Sequence, residues 1–354
     1  MLTLADSRQT SPRRSVNRNE DASAWALVLA AGEGSRLKAL TMMPSGVHVP
    51  KQFCSLLSGP SLVHEALQRA QSVAPRERVC TIVAAQHRRW WETLPEQLPV
   101  SNVIVQPENR GTANGILLAL THIAARDRHA PIVLLPADHH VLNEPILAAS
   151  LRCAVDHLRA QPDELLLLGM TPDQPDPELG YILPGARATL GTFVVSQFVE
   201  KPLAAQARAL IGKGALWNAF IVAATVQSLL NLLRRQFPGI VAAMRDVVSR
   251  DLHRPRNPLA TAGLYERLPS LDFSRDVLSN GKEAKMRVLP VPRCGWSDLG
   301  TSTRLGEILR QLRNCGRAHE TLPGMSTQIS LAARFDGLPR VETARSLPAS
   351  ANAG

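Results

Sequence analysis

Apolar residues run along this chain in short blocks whose lengths alternate between two kinds. Blocks of strand length are "AWALVLAA" (residues 24–31), "RVCTIVAA" (78–85), "NVIVQ" (102–106), "PIVLLPAD" (131–138) and "ELLLLGM" (164–170). Between them lie longer stretches with apolar positions three and four apart: "SLVHEALQRAQSV" after Pro60, "QHRRWWETL", "GTANGILLALTHIAARD" and "EPILAASLRCAVDHLRA". Period-2 or continuous apolar runs predict strands and the 3–4 spacing predicts helices. Strand–helix alternation of this kind predicts an α/β fold with a doubly wound, mainly parallel, Rossmann-like sheet, helices on both faces and right-handed crossovers.

From about residue 172 the rhythm changes. "ELGYILPG", "TFVVSQFVEKP" and "WNAFIVAAT" read as strands separated by turns, a helix-rich stretch runs to about 280, and "KMRVLPV" (285–291) reads as a late strand. This predicts an inserted region, about 172–285, from which the chain returns to the first sheet. Residues 1–22 are polar, carry Arg8, Arg13, Arg14 and Arg18, and predict a disordered basic lead. The expected organisation is that lead, one domain over 23–314 and a C-terminal tail over 315–354 whose role the pattern does not indicate.

Composition narrows the class. With 354 residues, 45% of them apolar, the chain can bury a sizeable core. Its five cysteines are Cys54, Cys80, Cys153, Cys294 and Cys315; an odd number without a close pair predicts neither a disulfide framework nor a zinc ribbon, and points to the reducing cytoplasm. No apolar run approaches the roughly 20 residues of a membrane helix. The net charge of +10 invites a nucleic-acid reading, but aromatics are only 4% and the basic residues are scattered, so an anionic small substrate accounts for the charge as well.

The candidate chemistry begins where the first strand ends. "LVLAAGEGSR" (27–36) places Gly32 and Gly34 just past a buried strand, the edge at which open α/β sheets bind ligands. A dinucleotide loop would carry a third glycine and an acid about 20 residues on; here Arg36 and Lys51 follow instead. Backbone N–H groups at Gly32 and Gly34 with two cations suit a triphosphate. The plain alternative is a strand-to-loop turn with two solvated cations.

Several further segments, taken in order, resemble the nucleotidyltransferases that make nucleotide sugars, and among them the mannose-1-phosphate guanylyltransferases. "LAAGEGSRL" and "VPKQF" resemble that family's N-terminal signature, "QPENRGTA" its base-reading segment, "LLPADHHV" its metal-binding strand end, "GYI" and "FVEKP" its sugar-binding strands, and "WNAFI", "SLDFSRDVL" and "GWSDLGT" its later blocks. The resemblance runs from about 24 to 305. "PKQF" with "AAGEGSRL" is also similar to cytidylyltransferases of the isoprenoid-precursor type, which lack the "VEKP" and "WSDLG" blocks; a silent nucleotide-sugar-binding homologue is the non-enzymatic alternative.

The resemblance implies transfer of a nucleoside monophosphate, GMP from GTP, to a sugar-1-phosphate, mannose-1-phosphate, with release of pyrophosphate. It implies nucleotide contacts at Ala30, Ala31, Gly32, Gly34, Arg36, Lys51, Gln106, Arg110, Gly111 and Thr112, and sugar-phosphate contacts at Gly180, Glu200, Lys201 and Asn218. Arg36, Lys51, Asp138 and Asp298 are the implied catalytic set, Asp138 and Asp298 holding Mg²⁺. Asp138 follows a strand that runs out at the ligand edge and Asp298 follows the late strand, so a returning chain can bring both to one crevice; taken alone, Asp138 reads as a strand end and Asp298 as the cap of a helix starting near Thr301. His139 and His140 are expected to be structural, because adjacent side chains diverge along a strand. Trp217 and Trp296 are expected in the core. The implied partners are a nucleoside triphosphate and a sugar-1-phosphate, with no membrane and no nucleic acid; a homo-oligomer is left open. No isomerase or β-helix domain follows residue 315, which predicts a monofunctional enzyme.

Overall fold

A computed structural model describes residues 23–252, 259–281, 284–314 and 330–336. The expected basic lead 1–22 and, within the expected tail, 315–329 and 337–354 lie outside the described residues.

The strands are β1 (Trp25–Ala30), β2 (Val79–Ala84), β3 (Val103–Gln106), β4 (Pro131–Pro136), β5 (His140–Val141), β6 (Glu164–Met170), β7 (Gly180–Arg187), β8 (Phe193–Val199), β9 (Leu216–Thr225), β10 (Lys285–Val291) and β11 (Trp296–Ser297). The helices are α1 (Lys38–Thr41), α2 (Leu62–Gln71), α3 (Arg88–Trp91), α4 (Thr112–Ala124), α5 (Glu144–Ala160), α6 (Ala204–Gly212), α7 (Val226–Gln236), α8 (Pro238–Leu252), α9 (Leu259–Tyr265), α10 (Ser302–Asn314) and α11 (Leu331–Asp336). Among the described residues nine strands form one sheet in the order β3-β2-β1-β4-β9-β6-β10-β8-β7.

Strands β3, β2, β1 and β4 pair in parallel, as do β6 and β10. β9 runs antiparallel between β4 and β6, and β8 antiparallel to β7 and β10, so the remaining strands share one direction. The alternation of side chains sets the layers. Ala26, Val28 and Ala30 of β1 face a core shared with α2 and α5, whereas Trp25 and Leu27 face a second core shared with α4, α7 and α8. Both faces are thus covered, as expected of a doubly wound sheet.

Strand β9 is the element that links the two parts of the sheet. Its C-terminal half pairs with β4 (Leu134↔Val222) and its N-terminal half with β7 (Gly180↔Asn218), while β6 lies along its other side. Pairings β9–β6, β6–β10, β10–β8, β8–β7 and β7–β9 therefore close a ring of five strands. Between Val222 and Asn218 the register with β6 shifts, and Phe220 takes a left-handed φ of 54° there, a strained conformation for a bulky residue. Much of the stretch expected as an insertion is in this way built into the main sheet, because residues 221–224 of β9 are apolar and buried on both faces.

Part of the C-terminal segment returns to the domain. Leu331 and Ala332 donate backbone hydrogen bonds to the carbonyls of Ser55 (2.8 Å) and Leu56 (2.9 Å), and Leu331 is fully buried in the first core. Among the described residues no helix is long and apolar enough to cross a membrane.

Candidate active site

The C-terminal ends of β1 and β4 open into a cleft of about 600 Å³, closed on its far side by β7, β9 and the segment 270–275. Its lining includes Ala31, Gly32, Gly34, Arg36, Gln106, Gly111, Thr112, Asp138, Gly180, Glu200, Lys201, Asn218 and Asp298, so most of the residues singled out from the sequence meet in one place. Three take other positions. Ala30 is a buried core residue. Arg110 pairs with Glu108 (2.8 Å) and reaches the carbonyl of Glu266 (3.3 Å). Lys51 lies buried beneath the cleft floor.

The glycine loop is held by contacts that its pattern did not announce. Gln52 donates from Nε2 to the carbonyls of Ala30 (2.9 Å) and Gly32 (2.8 Å). Gly34 has φ 62°, and a Cβ there would stand 2.8 Å from the Lys51 nitrogen, so the loop and the "VPKQF" segment can touch only through glycine. Gly32 has open space at its Cβ position, toward the cleft. Glu33 accepts from Gln86 Nε2 at 2.8 Å and pairs with His87 at 3.3 Å, tying the loop to the end of β2.

Asp138 and Asp298 come together because β5 and β11 pair antiparallel, Ser297 opposite His140, which sets the two acid-bearing segments side by side. Lys51 joins them: its Nζ is 2.9 Å from Asp138 Oδ2 and donates to the carbonyl of Asp298 at 2.7 Å. Burial alone would raise the Asp138 carboxyl, but Lys51 and Arg36 hold it below the ordinary carboxylate range. Asp298 is likewise held down against its burial, by Arg304 first, then Lys51. Its Oδ1 accepts from Gly300 N (3.0 Å) and Arg304, and its Oδ2 lies 3.5 Å from Arg36.

His139 and Trp296 stand at the cleft wall. Trp296 Nε1–H donates to His139 Nδ1 at 3.2 Å, and burial drives the imidazole down to about 4, so the ring is neutral. His140 turns away, 3.7 Å from Glu65. Trp217 is buried as expected, whereas Trp296 is only half-buried and lines the cleft, because β11 is a two-residue strand at its rim.

The other end of the cleft is built from two interlocked segments. Leu271 N donates to Arg110 O (3.1 Å), Ala113 N to Leu271 O (3.0 Å) and Phe273 N to Thr112 Oγ1 (2.8 Å), which joins "QPENRGTA" to "SLDFSRDVL" at the start of α4. On the β7–β9 side, a Cβ at Gly180 would stand 2.6 Å from Glu200 Oε2 and 3.2 Å from Asn218 Cβ. Asn218 Oδ1 accepts from Phe220 N at 3.1 Å, so the strained bulge orients this amide. Lys201 is exposed at φ 47°.

A cleft at the strand ends, a glycine loop above it and paired carboxylates on its floor are what nucleotide chemistry needs, and residues 25–314 match the family model described as nucleotidyl transferase. The chain belongs to the nucleotidyl transferase family. Its relatives include the mannose-1-phosphate guanylyltransferase of Escherichia coli (strain K12), 29% identical over 329 residues, 89% of this chain and 66% of that protein. ManC of Salmonella typhimurium, also named a mannose-1-phosphate guanylyltransferase, is 31% identical over 299 residues, 80% of this chain and 59% of that protein. The chain thus spans about three fifths of the length of several curated relatives it matches. A Thermus thermophilus crystal structure titled as a mannose-1-phosphate geranyltransferase superposes with a TM-score of 0.66 at 27% identity, covering 78% of this chain and 76% of that one.

Beyond the motifs, three further residues shape this site: Gln52, which holds Ala30 and Gly32, and Arg304, which bridges Asp298 and Asp176. Gln52 stands inside a quoted motif; Asp176 and Arg304 left no sequence signal, since a charged residue in a turn and an arginine on an amphipathic helix read as solvated.

Proposed function

We propose that this nucleotidyl transferase moves GMP from GTP to mannose-1-phosphate, releasing pyrophosphate. The observation that carries the reading is the convergence of Asp138, Asp298, Arg36 and the Gly32–Gly34 loop at one cleft; the names of the relatives support the guanylyl and mannose assignment.

The residues fit Mg²⁺. Each carboxylate is ionised, and each keeps one oxygen, Asp138 Oδ1 and Asp298 Oδ2, without a hydrogen bond among the described residues. One or two carboxylates are enough where substrate phosphates and water complete the octahedron. The ion would neutralise charge on the α-phosphoryl group and the leaving pyrophosphate.

The chain's own part is alignment. Backbone N–H groups of the Gly32–Gly34 loop approach the phosphates, with the half-exposed Arg36 beside them. Lys51 fixes Asp138 and the Asp298 backbone from below. Lys201 faces the sugar phosphate, Glu200 and Asn218 the hydroxyls, while Gln106 and the start of α4 receive the base. A phosphate oxygen of the sugar attacks the α-phosphorus and pyrophosphate departs, with no protein nucleophile needed.

The test is pyrophosphate release over a matrix of triphosphates and sugar-1-phosphates. GTP with mannose-1-phosphate is expected to turn over fastest. Preference for UTP or dTTP overturns the base assignment, and no turnover with any pair favours the silent homologue. Asp138→Asn and Asp298→Asn are each expected to remain folded and lose at least a hundredfold in activity; near-normal activity at limiting Mg²⁺ removes that residue from the metal site.

A further inference from the structure

Arg304 is a buried cation that the reaction does not use directly. It sits in the first turn of α10, the end of a helix that repels positive charge, and is only 7% exposed. A guanidinium in that place needs anions, and it has two: Nη1 donates to Asp298 Oδ1, and Nη2 lies 2.5 Å from Asp176 Oδ2. Its Cζ stands 5.0 Å from the centroid of the Trp217 ring.

Asp176 belongs to the turn that leads into β7. Its backbone N–H donates to the Tyr181 hydroxyl at 2.8 Å, that hydroxyl donates back to the Asp176 carbonyl at 3.1 Å, and its Oδ1 accepts from Glu178 N at 2.7 Å. Glu178, Leu179 and Gly180, just beyond it, line the same cleft as Gly32, with Glu178 3.9 Å from Arg36. A single arginine therefore connects a floor carboxylate to the wall that faces the sugar.

We propose that Arg304 is a positioning residue: by occupying Oδ1 of Asp298 it leaves Oδ2 toward the cleft, and through Asp176 it sets the 176–180 turn in the same act. This rests on the reading that Asp298 helps hold the divalent cation. The sign of the effect separates positioning from simple charge. Removing a cation beside a metal ligand strengthens the attraction for metal, whereas losing the partner that orients the ligand weakens binding, by about 10–100-fold for groups of this kind.

The test is titration of the full chain with Mn²⁺ alone, read by water-proton relaxation, beside steady-state kinetics, with folding checked by circular dichroism. Asp298→Asn is expected to weaken Mn²⁺ binding, and Arg304→Met to weaken it at least tenfold. A wild-type chain that binds no Mn²⁺, or an Asp298→Asn variant that binds it normally, overturns the metal reading and this inference with it. Arg304→Met binding as tightly as wild type, or more tightly, while Asp298→Asn binds weakly overturns the inference alone. In kinetics, Asp176→Asn is expected to raise the KM for mannose-1-phosphate at least fivefold with that for GTP changed less than twofold, and the Arg304→Met/Asp176→Asn double variant to be no worse than the poorer single. Additive effects overturn the link between the two ends. If Arg304→Met does not fold, Arg304→Lys decides: Mn²⁺ affinity within threefold of wild type with the sugar-phosphate KM raised at least fivefold supports the role, and an unchanged KM overturns it.

Discussion

Glu200 shows how one side chain carries both a cost and a use. Its Oε2 is buried against Gly180 without a hydrogen-bond partner among the described residues, and burial, with Asp272 adding to it, pushes the carboxyl up to about 7. An acid whose folded-state pKa is raised binds more protons folded than unfolded between about 4.5 and 7, so its contribution to stability falls as pH rises through that window and stays low above it. Glu200→Gln is therefore expected to melt higher than wild type at pH 8 and to match it at pH 4, measured by thermal unfolding. Identical melting at both pH values would show that the carboxyl is solvated and unstrained. Such a group suits a ligand hydroxyl, which would satisfy the orphaned oxygen. That Glu200 stands at the end of a strand beside Lys201 was legible in "VEKP"; that it lacks a partner was not, because its neighbours Gly180 and Asp272 are brought in by β7 and by the segment after α9.

Among the elements, the join between the start of α4 and segment 270–273 closes one end of the cleft, the end proposed for the nucleotide. Gly111 has φ 81°, and a Cβ there would stand 2.2 Å from the Leu271 carbonyl oxygen. Gly111→Ala is expected to lose about 1–3 kcal/mol from backbone strain alone, with further loss as the segments part, and to raise the KM for GTP. Gly32→Ala is the contrast: nothing stands within 4 Å of its Cβ position, so the melting temperature should hold while the KM for GTP rises, because the methyl group would project where phosphate approaches. Equal destabilisation by both changes would mean that the two loops do the same structural work. The strands and long helices were readable from apolar spacing, β1 and β4 above all. The short turns of helix at Ser35–Leu37 and Lys51–Phe53 were not, since they are fixed by contacts with distant parts of the chain, Gln52 with the carbonyls of Ala30 and Gly32 and Lys51 with that of Asp298, rather than by local spacing.

Across the whole molecule, an ion-pair cluster ties β6 to β10 and α5. Glu164 at the start of β6 accepts from Arg287 of β10 at 2.7 and 2.9 Å and lies 2.7 Å from His157 of α5. Burial would raise this carboxyl, but Arg287 and His157 outweigh it and hold it low. A depressed acid contributes stability that is present above its unfolded pKa and is lost as pH falls through the folded value. Glu164→Gln is expected to cost about 2 kcal/mol at pH 7, the worth of a charge-assisted hydrogen bond, and progressively less toward pH 3, measured by denaturant unfolding. A cost that does not change with pH would assign it to packing. The alternation of strand-length and helix-length apolar blocks determined the α/β class and the two covered faces of the sheet, because burial imposes periods of 2 and 3.6 on any sequence that folds this way. The glycine loop with Arg36 marked the cleft edge of the sheet for the same local reason, since close backbone approach demands glycine. Pairing partners distant in the chain were decided only in three dimensions: β9 entering between β4 and β6, the meeting of Asp138 with Asp298 through β5 and β11, the descent of Lys51 beneath the floor, and the bridge from Arg304 to Asp176. Each of these depends on where strands from opposite halves of the chain come to rest, which the local pattern of apolar and polar residues does not encode.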